Sequence, residues 1–183
     1  ITSVIWLTRA FGDEDGVTSI GEYAFAGCDN LRYVSIGDSV TTIGTGAFQD
    51  CTSLSSVNIP DSVTTIGDGA FSYIADDAEI TVAAGNTVFS VKDGALFDDR
   101  QHKLLQYRCT QRRTNYRIPY GVASVGDYAF FSHKTLTGVT IPESVTSIGR
   151  NAFAGCTNLT LKVPKGSYAE QYAIMNRLSC TTY

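Results

Sequence analysis

The amino-acid sequence predicts a solenoid of stacked parallel β-strands, and an internal repeat is the main observation behind this fold class. A pattern of the form V-x-x-[IV]-G occurs five times, at residues 17–21, 40–44, 63–67, 122–126 and 145–149. Each copy is followed by an Ala-Phe pair, and neighbouring copies lie 23 residues apart except for one step of 59 residues. A unit of about this length cannot bury its apolar side alone, so consecutive units must stack.

A strand-like stretch of the form L-x-x-V-x-I-P completes each unit, most clearly at residues 54–60 and 136–142. Residues two apart in a strand point to the same side, so the Val and Ile face the core and the residues between them face outward. The Ala-Phe segment predicts one tight helical turn, with its phenylalanines stacked as an internal ladder. The turn is expected to require the repeat glycines Gly21, Gly44, Gly67, Gly126 and Gly149.

The chain is predicted to form one domain over residues 1–183. Its predicted parts are three repeats (17–85), an irregular unit (86–121), two repeats (122–167) and a C-terminal cap (168–183). In the irregular unit, the polar run at residues 98–102 separates two apolar stretches and predicts a β-hairpin. Val4 and Trp6 are placed in a partial first rung.

The cap is predicted to begin with a short helix. Ser167 and Glu170 have the spacing of a capping box, in which each side chain satisfies a free amide at the helix start. Tyr168, Tyr172 and Met175 lie on one helical stripe and are expected to cover the open end of the last rung.

Composition and charge exclude several function classes. The chain has 183 residues, of which 43% are apolar, and a net charge of -4, so phosphate-rich nucleic acid is not expected as a partner. No apolar run reaches the roughly 18 to 20 residues of a membrane-spanning helix, so this segment is not expected to insert into a membrane.

The sequence predicts no enzyme, metal site or cofactor. Cys28, Cys51 and Cys156 occupy one repeat offset that holds Ile74 and His133 in the other copies, which indicates a packed interior column of free thiols. His102 and His133 have no candidate ligand at metal-site spacing, and no phosphate-binding or nucleophile motif occurs. Cys109, in a basic stretch, is the candidate for an exposed reactive thiol.

Two surfaces are candidate binding sites. The first is the outward face of the predicted sheet, expected to be continuous and formed by Tyr33, Ser35, Ser56, Asn58, Glu79, Thr81, Asn115, Arg117, Thr140 and Lys162. The second is a basic patch formed by Arg100, Lys103, Arg108, Arg112 and Arg113. This patch is typical of a solvated loop, and the alternative is a contact for an acidic protein or sulfated glycan, because guanidinium groups bind oxyanions in pairs of hydrogen bonds.

The repeat resembles the BspA-like, or Treponema pallidum-type, bacterial leucine-rich repeat, with the consensus C-x-x-L-x-x-V-x-I-P-x-x-V-x-x-I-G-x-x-A-F-x-x-C. The resemblance implies a non-enzymatic, protein-binding module of a cell-surface or secreted virulence protein, with a periplasmic location as the alternative. It also implies adhesion to host extracellular-matrix glycoproteins or to other cells. The competing interpretation is a structural scaffold or a self-associating protein of the cell envelope.

Overall fold

The structure is a computed structural model that describes residues 3–7, 16–75, 77–108 and 113–183, with the backbone alone for the first of these segments. It is a β-solenoid of about seven turns with one helix in this part of the chain. The strands are β1 Ser3–Leu7, β2 Ser19–Ile20, β3 Leu31–Ile36, β4 Thr42–Ile43, β5 Ser56–Ile59, β6 Thr65–Ile66, β7 Glu79–Val82, β8 Phe89–Lys92, β9 Ala95–Asp98, β10 Lys103–Tyr107, β11 Asn115–Arg117, β12 Ser124–Val125, β13 Gly138–Thr140, β14 Ser147–Ile148, β15 Thr160–Val163 and β16 Ser179–Thr182. The helix is α1 Tyr168–Met175.

The predicted solenoid is confirmed, and its strands form four sheets. The L-x-x-V-x-I stretches build two parallel sheets in the orders β1-β3-β5-β7 and β11-β13-β15-β16. These are called here the N-terminal and C-terminal sheets. The two-residue strands of the V-x-x-[IV]-G pattern lie on a second side of the solenoid. There β2, β4 and β6 form one sheet, and β12 and β14 join three strands of the irregular unit in the order β14-β12-β10-β9-β8. Val4 and Trp6 lie opposite Tyr33 and Ser35 on the first strand pair, so the partial first rung is present.

The phenylalanines stack inside the solenoid as predicted. The rings of Phe25, Phe48 and Phe71 follow one another at centroid distances of 5.3 and 5.8 Å. A second ladder joins Phe130 to Phe153 at 4.9 Å. Ring stacking of this kind adds to the large area that each aromatic side chain removes from water.

The Ala-Phe segment is a run of tight turns and not a helical turn. Each copy has two residues at positive φ, one before and one after the pair: Tyr23 (φ 55°) and Gly27 (72°) in the first copy, Tyr128 (58°) and Ser132 (58°) in the fourth. A left-handed residue on each side interrupts any right-handed helix. Backbone bonds between rungs replace the missing helical bonds, and the Phe25 amide donates to the Ala47 carbonyl at 2.8 Å.

The repeat glycines are needed for close stacking and not for a left-handed turn. None of the five has a positive φ. A Cβ on Gly44 would lie 2.6 Å from the Glu22 backbone nitrogen of the preceding rung, and a Cβ on Gly67 would overlap the backbone of Thr45. Gly21, in the first described rung, has nothing within 4 Å of that position. The physical constraint is therefore the approach of one backbone to the next.

The irregular unit forms a wall between two hydrophobic cores. The hairpin predicted around residues 98–102 is present, because β9 and β10 pair antiparallel, and β8 pairs antiparallel with β9 on the other side. All four residues of β9 are buried. Leu96 and Leu105 pack against the N-terminal core, whereas Phe97 and Leu104 pack against the C-terminal core.

The C-terminal cap begins as predicted but covers the last rung differently. Ser167 Oγ accepts the Glu170 amide at 3.2 Å, and the Glu170 carboxylate accepts the Gly166 amide, so the helix start is capped on both sides. Ala169 and Ala173 are fully buried, whereas Met175 is 81% exposed and Tyr168 is 42% exposed. The prediction of a Tyr168, Tyr172 and Met175 stripe is thus correct for the half-buried Tyr172 alone, because small alanines allow the helix to approach the rung closely.

Candidate protein-binding surface

The N-terminal sheet presents two rows of outward side chains. Parallel pairing places Tyr33 beside Ser56 and Ser56 beside Glu79, and it places Asn58 beside Thr81. Tyr33 is 46% exposed. Thr81 Oγ1 donates a hydrogen bond to Asn58 Oδ1 at 3.0 Å, so part of this row is held in place by its own neighbours. Ser35, between the buried Val34 and Ile36, is half-buried.

The C-terminal sheet continues the same kind of face. Asn115, Gly138, Thr160 and Ser179 form one row, and Arg117, Thr140, Lys162 and Thr181 form the other. Arg117 and Lys162 are exposed, and Thr140 is half-buried. The four strands of this sheet contain no acidic residue. All ten side chains that the sequence placed on the face are therefore accessible to solvent.

The face is not continuous, which corrects one expectation. Strand β7 ends the N-terminal sheet and β11 begins the C-terminal sheet, and the two strands are not paired. The inserted wall lies between them in the chain. At this break, Glu79, Val91 and Arg108 line a cavity of about 180 Å³. The insertion therefore divides the strand face into two four-stranded halves.

Sequence analysis missed the last strand of this face. Strand β16 follows helix α1 and pairs in parallel with β15, which adds Ser179 and Thr181 to the two rows. Both side chains are exposed. The signal was the short run Ser179-Cys180-Thr181-Thr182, whose β-branched threonines favour a strand. It was overlooked because the cap was expected to end in the helix.

The predicted basic patch is dispersed by the fold. Arg108 is 5% exposed and donates from Nη2 to the Phe71 carbonyl at 3.4 Å, so its place in a surface patch is wrong. Lys103 Nζ lies 2.6 Å from Asp68 Oδ1, with the lysine side chain 20% exposed. Arg113 Nη1 lies 3.2 Å from Asp93 Oδ1 on the surface. Arg100 is exposed in the hairpin turn, and Arg112 lies outside the described residues.

The cysteine column is interior and is joined to the aromatic ladder. The Cys51 thiol donates to the Phe25 carbonyl at 3.1 Å, and the Cys156 thiol donates to the Phe130 carbonyl at 2.9 Å. Burial raises the pKa of the Cys51 thiol to about 11 and also raises the pKa of the Cys156 thiol. Protonated thiols are poor nucleophiles, so these side chains are structural. Cys109 lies outside the described residues.

His133 replaces a cysteine in this column and keeps its hydrogen bond. His133 Nε2 lies 2.8 Å from the Tyr107 carbonyl oxygen, which only accepts, so Nε2 carries the hydrogen. Tyr107 is fully buried and stacks on Phe130 at 5.1 Å. It therefore takes the phenylalanine position in the irregular unit, where sequence analysis assigned no ladder residue. The signal was the 23-residue step from Tyr107 to Phe130.

The described residues contain no group of three or more His, Cys, Asp or Glu side chains placed to hold a metal ion. His102 lies in the exposed hairpin turn with φ 49°, beside a cavity of about 260 Å³ that Asp98 and Tyr120 also line. No helix in the described part of the chain has the length and apolar character needed to cross a membrane. The accessible chemistry is that of hydroxyl, amide, carboxylate and cationic groups on a strand face.

Three solved structures are similar to this chain over most of its length. The pneumococcal vaccine antigen PcpA has a TM-score of 0.75 at 24% identity and matches 86% of this chain and 38% of its own. A leucine-rich cell surface protein from Faecalibacterium prausnitzii A2-165 has a TM-score of 0.74 at 29% identity, matching 90% of this chain and 48% of its own. A leucine-rich repeat protein from Eubacterium ventriosum ATCC 27560 has a TM-score of 0.52 at 25% identity, matching 84% of this chain and 59% of its own.

The chain thus spans less than two thirds of each of these proteins. No curated protein sequence matches it. The family model for the BspA type leucine-rich repeat region matches six copies, over residues 11–100 and 105–179. That model covers most of the rungs described above and most of the wall, with a gap at residues 101–104. The chain therefore belongs to the BspA-type leucine-rich repeat family.

Proposed function

We propose that this chain is a non-enzymatic protein-binding module of a bacterial surface or secreted protein, which adheres to host matrix proteins or to other cells through its strand face. Leucine-rich repeat proteins of this type are generally protein-binding, which supports the general role. The similar protein from Faecalibacterium prausnitzii is itself described as a cell surface protein. The adhesive role is the part of the proposal that the binding experiment below tests.

The observation that carries the proposal is the in-register exposed face. The rows of the two sheets present short polar side chains in a regular array, and the buried alternate residues beneath fix their positions. A flat, preorganised surface loses little conformational entropy when a partner binds. Tyr33 and Arg117 belong to the residue types that most often anchor protein interfaces.

The test is binding of the purified chain to immobilised matrix glycoproteins, fibronectin and fibrinogen included, and to sulfated glycans. We expect saturable binding to a matrix glycoprotein, with a loss of at least about tenfold in affinity for Tyr33→Ala or Arg117→Ala. The matched control is Tyr23→Asn, because Tyr23 is an exposed tyrosine on the turn side and Asn151 occupies its equivalent position in the fifth repeat. A folded chain that binds no glycoprotein, or equal losses for the control and the face variants, would contradict the proposal.

A further inference from the structure

Charge is divided sharply between the two ends of the solenoid. Residues 17–85 contain nine acidic side chains and one basic side chain, whereas residues 86–183 contain six acidic and twelve basic side chains. The modest net charge of -4 therefore hides two oppositely charged halves. The division falls at the inserted wall, which also separates the two sheets.

The same division is present on the strand surface, defined here as the two strand faces together with the loops that enter and leave their strands. Around the N-terminal sheet, the exposed charged residues among those that the structure describes are Arg32 and the five acids Asp29, Asp38, Asp61, Asp77 and Glu79. Around β13, β15 and β11 they include Glu143 and the four bases Arg117, Lys134, Lys162 and Lys165. One half of the surface is acidic and the other is basic.

Within the part of the chain that the structure describes, these surface charges form no ion pairs. The ion pairs that form between two described residues join Lys103 to Asp68, Arg113 to Asp93 and Arg150 to Asp127. None of them includes a residue of the two lists above. Charges of one sign on one half of a surface increase the magnitude of the electrostatic potential there. Such a surface favours a partner whose charges have the opposite pattern.

We propose that two copies of this chain associate antiparallel through the strand surface, so that the acidic half of each copy lies against the basic half of the other. The two halves contain four strands each, with the break between β7 and β11 midway, so a two-fold axis near the break aligns both pairs of halves at once. A parallel arrangement would place like charges together. An acidic peptide would satisfy the basic half and leave the acidic half unpaired.

This inference uses the same surface as the proposed function but does not need an external ligand. The test is sedimentation velocity of the full chain over a range of concentrations, in about 10 mM and about 1 M salt, where the screening length is about 30 Å and about 3 Å. We expect a monomer–dimer equilibrium at low salt that shifts to monomer at high salt. A monomer at every concentration and both salt levels would overturn the proposal.

Charge reversal identifies the contacting halves. Asp61→Lys with Glu79→Lys removes the acidic excess of the N-terminal half, and Arg117→Glu with Lys162→Glu removes the basic excess of the C-terminal half. Each double variant alone should lose at least about tenfold in its association constant, and an equimolar mixture should recover a heterodimer. The control Glu22→Lys changes an exposed acid on the turn side and should still dimerise.

Two further outcomes would also overturn the proposal. The first is a dimer that neither salt nor charge reversal affects. The second is a chain that stays monomeric and binds a poly-glutamate peptide through Arg117 and Lys162, which would assign the basic half to an acidic partner. Neither result depends on the matrix glycoprotein assay, so adhesion and self-association succeed or fail separately.

Discussion

The regular rungs and the inserted wall bury their strands in different ways. In a regular rung such as β5, Val57 and Ile59 are buried and the residues beside them are accessible, so each strand has one core face. In the wall, every residue of β9 is buried, because the strand has a core on both sides. A two-residue periodicity therefore identifies the rungs, whereas a strand with two buried faces has no such pattern.

The regular rungs and the wall also differ in the polar groups that they bury. The rungs satisfy their interior donors with a repeated bond, from Cys51 to the Phe25 carbonyl and from Cys156 to the Phe130 carbonyl. The wall buries Gln106 and Asp98, neither of which belongs to the repeat. The register of β10 shifts between Leu104 and Gln106, and this bulge explains why Leu104 and Tyr107, three residues apart, both pack in the C-terminal core. The wall thus joins two cores at the cost of irregular packing.

The largest expected effect tests whether the wall continues the aromatic ladder. Phe48→Ala should lower the free energy of unfolding by about 3–5 kcal/mol, because Phe48 is fully buried between two stacked rings. Tyr107→Ala should cost a similar amount if Tyr107 is the ladder residue of the wall. Urea unfolding followed by circular dichroism measures both, with the 87% exposed Tyr120→Ala as a control expected within about 0.5 kcal/mol. A loss of less than about 1 kcal/mol in the free energy of unfolding for Tyr107→Ala would show that the aromatic ladder does not continue through the wall.

An intermediate loss of stability is expected when the repeat glycine is replaced by alanine, and its size should differ between three rungs. Gly67→Ala should destabilise by about 2 kcal/mol or more, because its Cβ would overlap the backbone of the preceding rung. Gly126 faces the wall, where the Cβ would lie 3.3 Å from the Leu104 carbonyl and two flexible side-chain atoms, so its alanine variant should cost less. Gly21→Ala has open space and should be within about 0.5 kcal/mol of the unchanged protein. Equal losses at all three positions, measured by thermal unfolding, would show that the glycines serve the turn and not the stacking.

Most of the fold was predictable because the same sequence pattern occurs five times and predicts the same rung each time. The spacing of Val57 and Ile59 predicts the strand, and the 23-residue step predicts the stacked phenylalanines. The split of the strand face was not predictable, because nothing in the local sequence of β7 or β11 indicates that the two strands are unpaired. The ten face residues followed from strand alternation, whereas the burial of Arg108 depends on packing between the two halves, which a charge pattern does not reveal.

The smallest expected effect is that of Gln106→Met at the polar centre of the wall. Gln106 is 2% exposed, its Nε2 donates to the Ala129 carbonyl at 3.3 Å, and its Oε1 has no hydrogen-bond partner among the described residues. Gln106→Met keeps the length of the side chain and removes the unpaired oxygen, and the Ala129 carbonyl retains the Tyr107 amide at 2.8 Å. The free energy of unfolding should therefore stay the same or rise by up to about 1 kcal/mol.

The paired variant Gln106→Glu places a carboxylate at the same buried point and should lower the free energy of unfolding by about 2 kcal/mol or more at neutral pH. Urea unfolding of both variants gives the comparison directly. A loss of more than about 2 kcal/mol for Gln106→Met would mean that the amide is an essential link between the two cores. The wall would then resemble a regular rung in having its interior polar groups satisfied, and the contrast between the two regions would rest on the burial of both strand faces alone.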